Sequence, residues 1–435
     1  MNMIQIIEKK RDGGVLSQDE IEFFIKGYTA GDIPDYQASA LLMAIYIRGI
    51  SREEIFHLTR AMKLSGDVVD LSSIEGIKVD KHSTGGVGDK TTMVVGPLTA
   101  ACGIPVAKMS GRGLGFTGGT VDKLEAIEGF KTALEAEEFI NQVNTAGIAV
   151  IGQTAHVAPA DKKIYALRDV TATVGNLGLM TSSIMSKKLA SGSDAIVLDV
   201  KCGNGAFMET EEAAYELGSL MCQIGADDGV PTAAAITDMS QPLGKAVGNS
   251  LEVIEAIETL KGNGPSDIQE LSLTLSGVMI YMGKKASSPE EGYAMAKDAM
   301  ESGKALDKFR EFIRAQGGNP DITDDYSLLP QAEFMTEIMA GEDGYITEIK
   351  ARSIGLASQH SGAGRATKEE EIDLAAGIYL EKKVGDEVKK GDVLARVYSN
   401  NREKLEAAAK EAEDAFTVGR EFCEKPVLIK RIIGI

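Results

Sequence analysis

The stretch "VDKHSTGGVGDKTT", from Val79 to Thr92, gathers three glycines, four hydroxyl residues, two lysines and one of the chain's four histidines. Glycine bares backbone N–H groups, hydroxyls and lysines bind oxyanions, and histidine exchanges a proton near neutral pH. The combination predicts an anion-binding loop with a hydrogen-bonding or proton-transfer group beside it. A second stretch, "SGRGLGFTGGTVDKLE" from Ser110 to Glu125, has a similar make-up. Each follows a short β-like run, "IKVD" or "IPVAKM", taken as neighbouring strands, and each leads into a helical pattern. Loops at the carboxyl ends of sheet strands, facing helix N-termini, are where α/β proteins bind anions. Lys81 and Ser83 alternate along the first strand end and share a side, Thr92 starts the next helix, and Ser110 and Thr120 bracket the second loop.

Two nucleotide motifs fail in this context. A Walker A loop needs a glycine directly before its lysine, but Asp89 separates Gly88 from Lys90. The second stretch does hold G-x-G-x-x-G at Gly113, Gly115 and Gly118. A dinucleotide fold would follow it with a second strand ending in an acidic residue. The chain instead offers "EAEEFINQVN", a helical pattern. The pair of loops is a phosphate cradle rather than a nucleotide clamp.

The elements that must hold these loops are legible around them. The first 65 residues are helical: Ser17 with Glu20 and Ser51 with Glu54 are capping boxes, and Pro34 and Gly49 bound a third helix. From residue 77, "IKVD", "IPVAKM", "IAVIG", "DAIVLDV" and "PTAAAITDM" alternate with helical patterns, predicting a mixed, largely parallel α/β sheet. Residues 161–193 return to helix and are expected to rejoin 1–65 in a discontinuous helical domain. The α/β domain then covers 77–152 and 194–330, and 331–435 forms a C-terminal α+β region. Its "AAGIYLEKKVGDEVKKGDVLARVYS" resembles half of a biotinyl or lipoyl barrel, hence a barrel-sandwich-like fold. No M-K-M or D-K-A tip is present to carry a swinging arm, so that region is read as packing.

Composition excludes several classes. With 46 basic against 65 acidic residues the net charge is −19, which argues against nucleic-acid binding. No run of about twenty apolar residues occurs, so no membrane span is expected. The start, Met1–Lys10, is charged and amphipathic rather than secretory. Four scattered cysteines without a C-x-x-C pair fit reduced thiols in the cytoplasm and no zinc site.

"SGRGLGFTGGTVDKLE" matches the signature S-G-R-[GA]-L-x-x-[TA]-[GA]-G-T-x-D-x-[LIV]-E of the thymidine and pyrimidine-nucleoside phosphorylases. "KHSTGGVGD", "YALRDVTATV", "SSIMSKK", "SDAIVLDVK", "DMSQPLG" and "GAGRATKEEEID" resemble that family's other blocks in the same order. The chain is therefore similar to this family over nearly its whole length. The resemblance implies reversible phosphorolysis: phosphate attacks C1′ of uridine, thymidine or deoxyuridine, and the base leaves to give (deoxy)ribose 1-phosphate. It also implies a homodimer formed through the helical domain, near "ALLMAIYI", and inorganic phosphate and a pyrimidine nucleoside as partners.

The same resemblance assigns Lys81, His82, Ser83, Thr92, Lys108, Met109, Ser110 and Thr120 to phosphate. His82 faces the sugar and base, as hydrogen-bond or proton donor to the leaving base. Arg168 and Lys187 bind the base oxygens, Ser183 meets N3, and Ile184 and Phe207 pack on the ring. His82, Arg168 and Lys187 form the catalytic set, while His57, His156 and His360 have no catalytic role. Ser183 and Lys187 also stand i and i+4 on a predicted helix, so they share a face. The family binds potassium through carbonyls at the positions of Gly88, Lys90, Leu243 and Ala246 and the carboxylate of Glu255, and no organic cofactor is expected.

Four departures from the pattern stand out: Lys90 replaces threonine, Phe116 replaces histidine, Ala155 and His156 replace glycine and asparagine, and "TVGNLGLM" lacks a proline. Lys108 takes the place of the methionine found in thymidine-specific relatives and, sharing a face with Ser110, is expected to meet the ribose 2′-hydroxyl. A thymidine-specific enzyme is the alternative. The more distant one is an anthranilate phosphoribosyltransferase-like enzyme of the same general fold, against which "YALRD" and "SIMSKK" favour a pyrimidine.

Overall fold

The computed structural model describes every residue except Leu114, Ala155 and residues 366–369. Ala155 and the middle of the "GAGRATKEEEID" block thus lie outside the described residues. The first four helices are Met3–Arg11, Gln18–Ala30, Asp35–Arg48 and Arg52–Lys63. Ser17 and Ser51 close both capping boxes, and Pro34 and Gly49 cap the third helix. Their apolar faces meet in one cluster, which Ala160 and Ile164 of the helix Pro159–Val170 and Leu179 of the helix Leu177–Ala190 complete.

The central sheet is built from β1 (Val79–Ser83), β4 (Ala195–Cys202) and β5 (Thr232–Asp238), in parallel. Between them in the chain, β2 (Val106–Ser110) and β3 (Ile148–Gly152) pair only with each other. "IKVD" and "IPVAKM" are therefore not ladder neighbours, as the sequence suggested: β1 pairs with β4, and β2 lies beside β1 in a separate two-stranded sheet. Every position of β4 is buried, as expected of a parallel strand covered on both faces. Ile196, Leu198 and Val200 face one cluster with Met185, Leu217 and Met221. Ala195 and Val197 face the other, with Val94, Val95 and Leu98. The two-residue period of the strand thus feeds two helical layers. Asp199 and Lys201, the charged residues inside it, pair at 2.6 Å.

Two connections cross between regions. The short strand β6 (Ala246–Gly248) leaves the α/β part and pairs with the C-terminal region, whose strands are β7 (Phe334–Met339), β8 (Gly344–Ile349), β9 (Gly377–Leu380), β10 (Glu387–Val388), β11 (Val393–Ser399) and β12 (Phe416–Gly419). These form sheets in the orders β6-β9-β11-β7 and β10-β8-β12, which do not close into a barrel. In the opposite direction, β13 (Ile429–Ile433) leaves the 331–435 region and adds an antiparallel strand to the outer edge of β5. All four cysteines are free, and among the described residues no helix is long and apolar enough to cross a membrane.

Candidate active site

Both glycine loops converge on one cleft. β1 ends in His82 and Ser83, and the Ser83 hydroxyl accepts from the Gly85 N–H at 3.2 Å, which turns the chain toward the helix Thr91–Ala101. β2 ends in Ser110, and its loop folds back on itself before the short helix Thr120–Leu124. A Cβ at Gly119 would lie 2.0 Å from the Gly113 nitrogen, so only glycine permits that fold. Asp122 fixes the loop by accepting from the Gly113 N–H at 2.6 Å and from Arg112 and Arg365, each at 3.0 Å.

Every residue assigned to phosphate (Lys81, His82, Ser83, Thr92, Lys108, Met109, Ser110 and Thr120) lines the inner half of this cleft. Those assigned to the base (Arg168, Ser183, Ile184, Lys187 and Phe207) line the outer half. His82, Ser83 and Lys187 border both halves.

The directions of the side chains add what spacing could not. Arg168 is almost fully buried, and its guanidinium donates to the carbonyls of Thr173 (3.2 Å), Leu179 (3.0 Å) and Val174 (2.7 Å). It therefore clamps the loop before the base-lining helix, the segment that lacks the usual proline. Of its five N–H groups, one on each terminal nitrogen is left for a ligand. Lys187 donates to Ser183 Oγ at 3.1 Å and pairs with Asp161. Lys108 lines the cleft, but its ammonium is turned toward Asp80 (3.3 Å) and the Lys81 carbonyl. Phe207 is 42% exposed and lies 6.3 Å from Phe116, which in turn lies under Arg352.

Sequence reasoning missed Lys188. The last residue of the "SSIMSKK" block, it is buried, donates to Asp80 at 2.8 Å and to the Met109 carbonyl at 3.1 Å, and lines the phosphate half. The available signal was Asp80 itself, an acid in the middle of a strand. Through that carboxylate Lys188 ties the helix Leu177–Ala190 to β1 and β2.

Charge in the cleft is concentrated: Lys187 and Lys188 are closely paired with Asp161 and Asp80, while Lys81 stands farther from its carboxylates. Lys81 is buried, with Asp199 at 3.7 Å and Asp89 at 3.9 Å. Burial works against ionisation of Asp80 and Asp89, yet the surrounding lysines outweigh it and hold both carboxyls below the usual range. Burial, offset in part by Asp80, brings Lys108 down to about 8. His82 is pushed well below its ordinary value, first by burial and then by Lys188, Lys108, Lys81 and Lys187, so its imidazole is neutral.

The five residues expected to hold potassium are also together, but the fit to a metal fails. The Lys90 ammonium donates to the carbonyls of Leu243 (3.1 Å) and Ala246 (2.8 Å) and pairs with Glu255. These are three of the five oxygen groups expected to hold a potassium ion, and a positive charge already sits among them. Burial opposes the charge on Lys90, but Glu255 and Glu252 outweigh it and keep the ammonium protonated. Among the described residues no group of three or more His, Cys, Asp or Glu side chains is placed to hold a metal.

Residues 4–66 match the family model described as "Glycosyl transferase family, helical bundle domain", and residues 75–306 match "Glycosyl transferase family, a/b domain". Residues 345–419 match "Pyrimidine nucleoside phosphorylase C-terminal domain". The chain is 57% identical over 429 residues to a pyrimidine-nucleoside phosphorylase of Geobacillus stearothermophilus, covering 99% of each chain. It is 56% identical over 433 residues to a pyrimidine-nucleoside phosphorylase of Bacillus subtilis, covering 100% of each. Among solved structures, anthranilate phosphoribosyltransferase from Thermus thermophilus superposes with a TM-score of 0.58 at 21% identity, over 72% of this chain and 99% of that one. That likeness is one of fold.

Proposed function

The chain belongs to the pyrimidine-nucleoside phosphorylase family of glycosyl transferases, and on that premise we propose that it catalyses reversible phosphorolysis of uridine, thymidine and deoxyuridine. The observation that carries the reading is the meeting of the two cleft halves at His82 and Lys187. A nucleoside with its base among Ser183, Ile184 and Phe207 has its sugar directed at the lysines around Ser83 and Ser110.

Bond cleavage puts positive charge on the sugar and negative charge on the departing base, so donors fixed at the base oxygens act on the transition state more than on the substrate. Lys187 and the two remaining Arg168 N–H groups are those donors. Phosphate supplies the nucleophile from the Lys81, Ser83, Ser110 and Thr120 side. A dianion among Lys81, Lys108, Lys187 and Lys188 offsets the charges that depress His82, lifting it toward its ordinary range. Its imidazole then hydrogen-bonds the base O2 or passes a proton to it as the bond breaks.

The finer assignments are part of the same proposal. Residues 1–65 and 161–193 form the base-binding domain, 77–152 and 194–330 the phosphate-binding domain, and 331–435 a C-terminal α+β region. The protein works in the cytoplasm as a homodimer joined through its helical domain, a reading favoured by the exposed Tyr36 and Ile47 on the helix Asp35–Arg48. Lys108 is the group beside the pentose that admits uridine. Uridine incubated with the purified protein should release uracil only when inorganic phosphate is added. Release without phosphate would make the protein a hydrolase and overturn the reading.

A further inference from the structure

The oxygen cage beside the phosphate loop is filled by the chain itself. Lys90 precedes the helix Thr91–Ala101, and its side chain is fully buried. An ammonium has three N–H groups, and three acceptors surround this one: the Leu243 and Ala246 carbonyls and Glu255. The carboxylate is in turn held by the N–H groups of Lys245 (2.9 Å) and Ala246 (3.2 Å), so its remaining lone pairs are also in use.

The walls approach closely at two glycines. A Cβ at Gly88 would lie 2.6 Å from the Leu243 carbonyl oxygen and 3.1 Å from that of Ala246. One at Gly244 would lie 2.2 Å from Glu255 Oε2 and 3.0 Å from Lys90 Nζ. From the far side Lys383 takes the Gly244 carbonyl at 2.7 Å and Asp267 at 3.1 Å, closing the Pro242–Ala246 loop from the C-terminal region.

We propose that the Lys90 ammonium is the resident cation of this cage, so that the protein folds and turns over without a bound potassium ion. One positive charge suffices for the carboxylate and the two carbonyl dipoles, and a mobile ion on the same oxygens would face an ammonium at contact distance. Because the charge is covalently attached, the loop carrying Asp89 and the start of the helix Thr91–Ala101 stay pinned to the Leu243–Ala246 segment at any salt composition.

The test compares the wild-type protein with Lys90→Thr as potassium chloride replaces tetramethylammonium chloride at constant ionic strength. The readouts are the melting temperature and the kcat/KM for uridine. The wild type should change by less than about 1 °C and less than about twofold. Lys90→Thr should melt several degrees lower without potassium and recover at least about half of that loss with it, as binding to the native state alone requires. A wild-type protein that gains more than about 3 °C from potassium, or a folded Lys90→Thr that ignores it, overturns the proposal. Thallium(I) titration of the wild-type protein, followed by thallium resonance, decides the matter if the variant does not fold. Lack of a bound signal upholds the proposal, and one bound ion per chain refutes it.

Discussion

Lysines lie on both sides of the loop from Thr84 to Lys90, and the two sides are built differently. On one side, Lys90 finds three close acceptors, and nothing on it is left for a ligand. On the other, Lys81 and Lys108 each have one close acceptor, the Thr91 hydroxyl and the Lys81 carbonyl, with carboxylates farther off at 3.3–3.9 Å, and Lys187, paired with Asp161, keeps a quarter of its surface open to the cleft. A buried lysine with every N–H satisfied is a fastening. One loosely paired with a carboxylate keeps a charge that an incoming dianion can claim. Burial alone distinguishes neither; the number of close acceptors does, three at Lys90 and fewer at each cleft lysine.

Removing the fastening should have the largest effect. Lys90→Met takes away the charge facing Glu255 and leaves a buried carboxylate unpaired, a change that typically costs about 3–5 kcal/mol. It should appear as a lower guanidinium midpoint, and an unchanged midpoint would dissolve the contrast between the two groups. On the cleft side, Lys187→Ala leaves the buried Asp161 carboxylate without its partner, so a lower melting temperature should accompany a loss of about 10²–10³-fold in kcat, the usual consequence of deleting one transition-state donor. A loss below about fivefold would remove Lys187 from the reaction. Arg168→Ala should show both signatures, because its guanidinium holds three backbone carbonyls as well as lining the base half.

A smaller effect sharpens the comparison within the cleft. Lys108 titrates at about 8, so raising the pH through that value removes a positive charge from the phosphate half. The KM for phosphate should therefore rise above that pH in the wild type and stay flat in Lys108→Met. The same variant should lose about tenfold in kcat/KM for uridine relative to thymidine, the size of one polar contact to a substrate hydroxyl. Equal losses on both substrates would confine Lys108 to the phosphate. The smallest change is expected at Phe116, whose ring faces Phe207 and Arg352 rather than the phosphate lysines. Phe116→His should alter kcat/KM by less than about twofold.

What the sequence made legible was local. Capping boxes, the strand–loop–helix units and the i, i+4 pair of Ser183 and Lys187 all depend on neighbours within a few residues, and each is found as expected. What it hid depends on distant partners. Nothing near Val79 shows that β1 pairs with Ala195–Asp199 rather than with β2. Nothing near Lys188 shows that Asp80, 108 residues earlier, is brought against it. Resemblance alone grouped Lys90 with Leu243 and Ala246, which lie more than 150 residues away in the chain, and it did not show that the ammonium rather than the carbonyl of Lys90 meets them. The membership of the cleft could be carried over by resemblance. The aim of the Arg168 and Lys108 side chains could not, since it is set by the carbonyls and carboxylate around them.

The strand Ile429–Ile433 closes the outer edge of β5 after the entire C-terminal region has been traversed. During synthesis, the parallel strands of the central sheet therefore leave the ribosome long before their last neighbour exists. Until it arrives, β5 offers a row of unpaired backbone groups to any other extended chain. Completion of the catalytic scaffold is thus coupled to the fate of a region that contributes little to the cleft. Cells making this protein quickly, or making a version shortened before Ile429, should see that cost as aggregation of nascent chains rather than as a loss of catalytic groups.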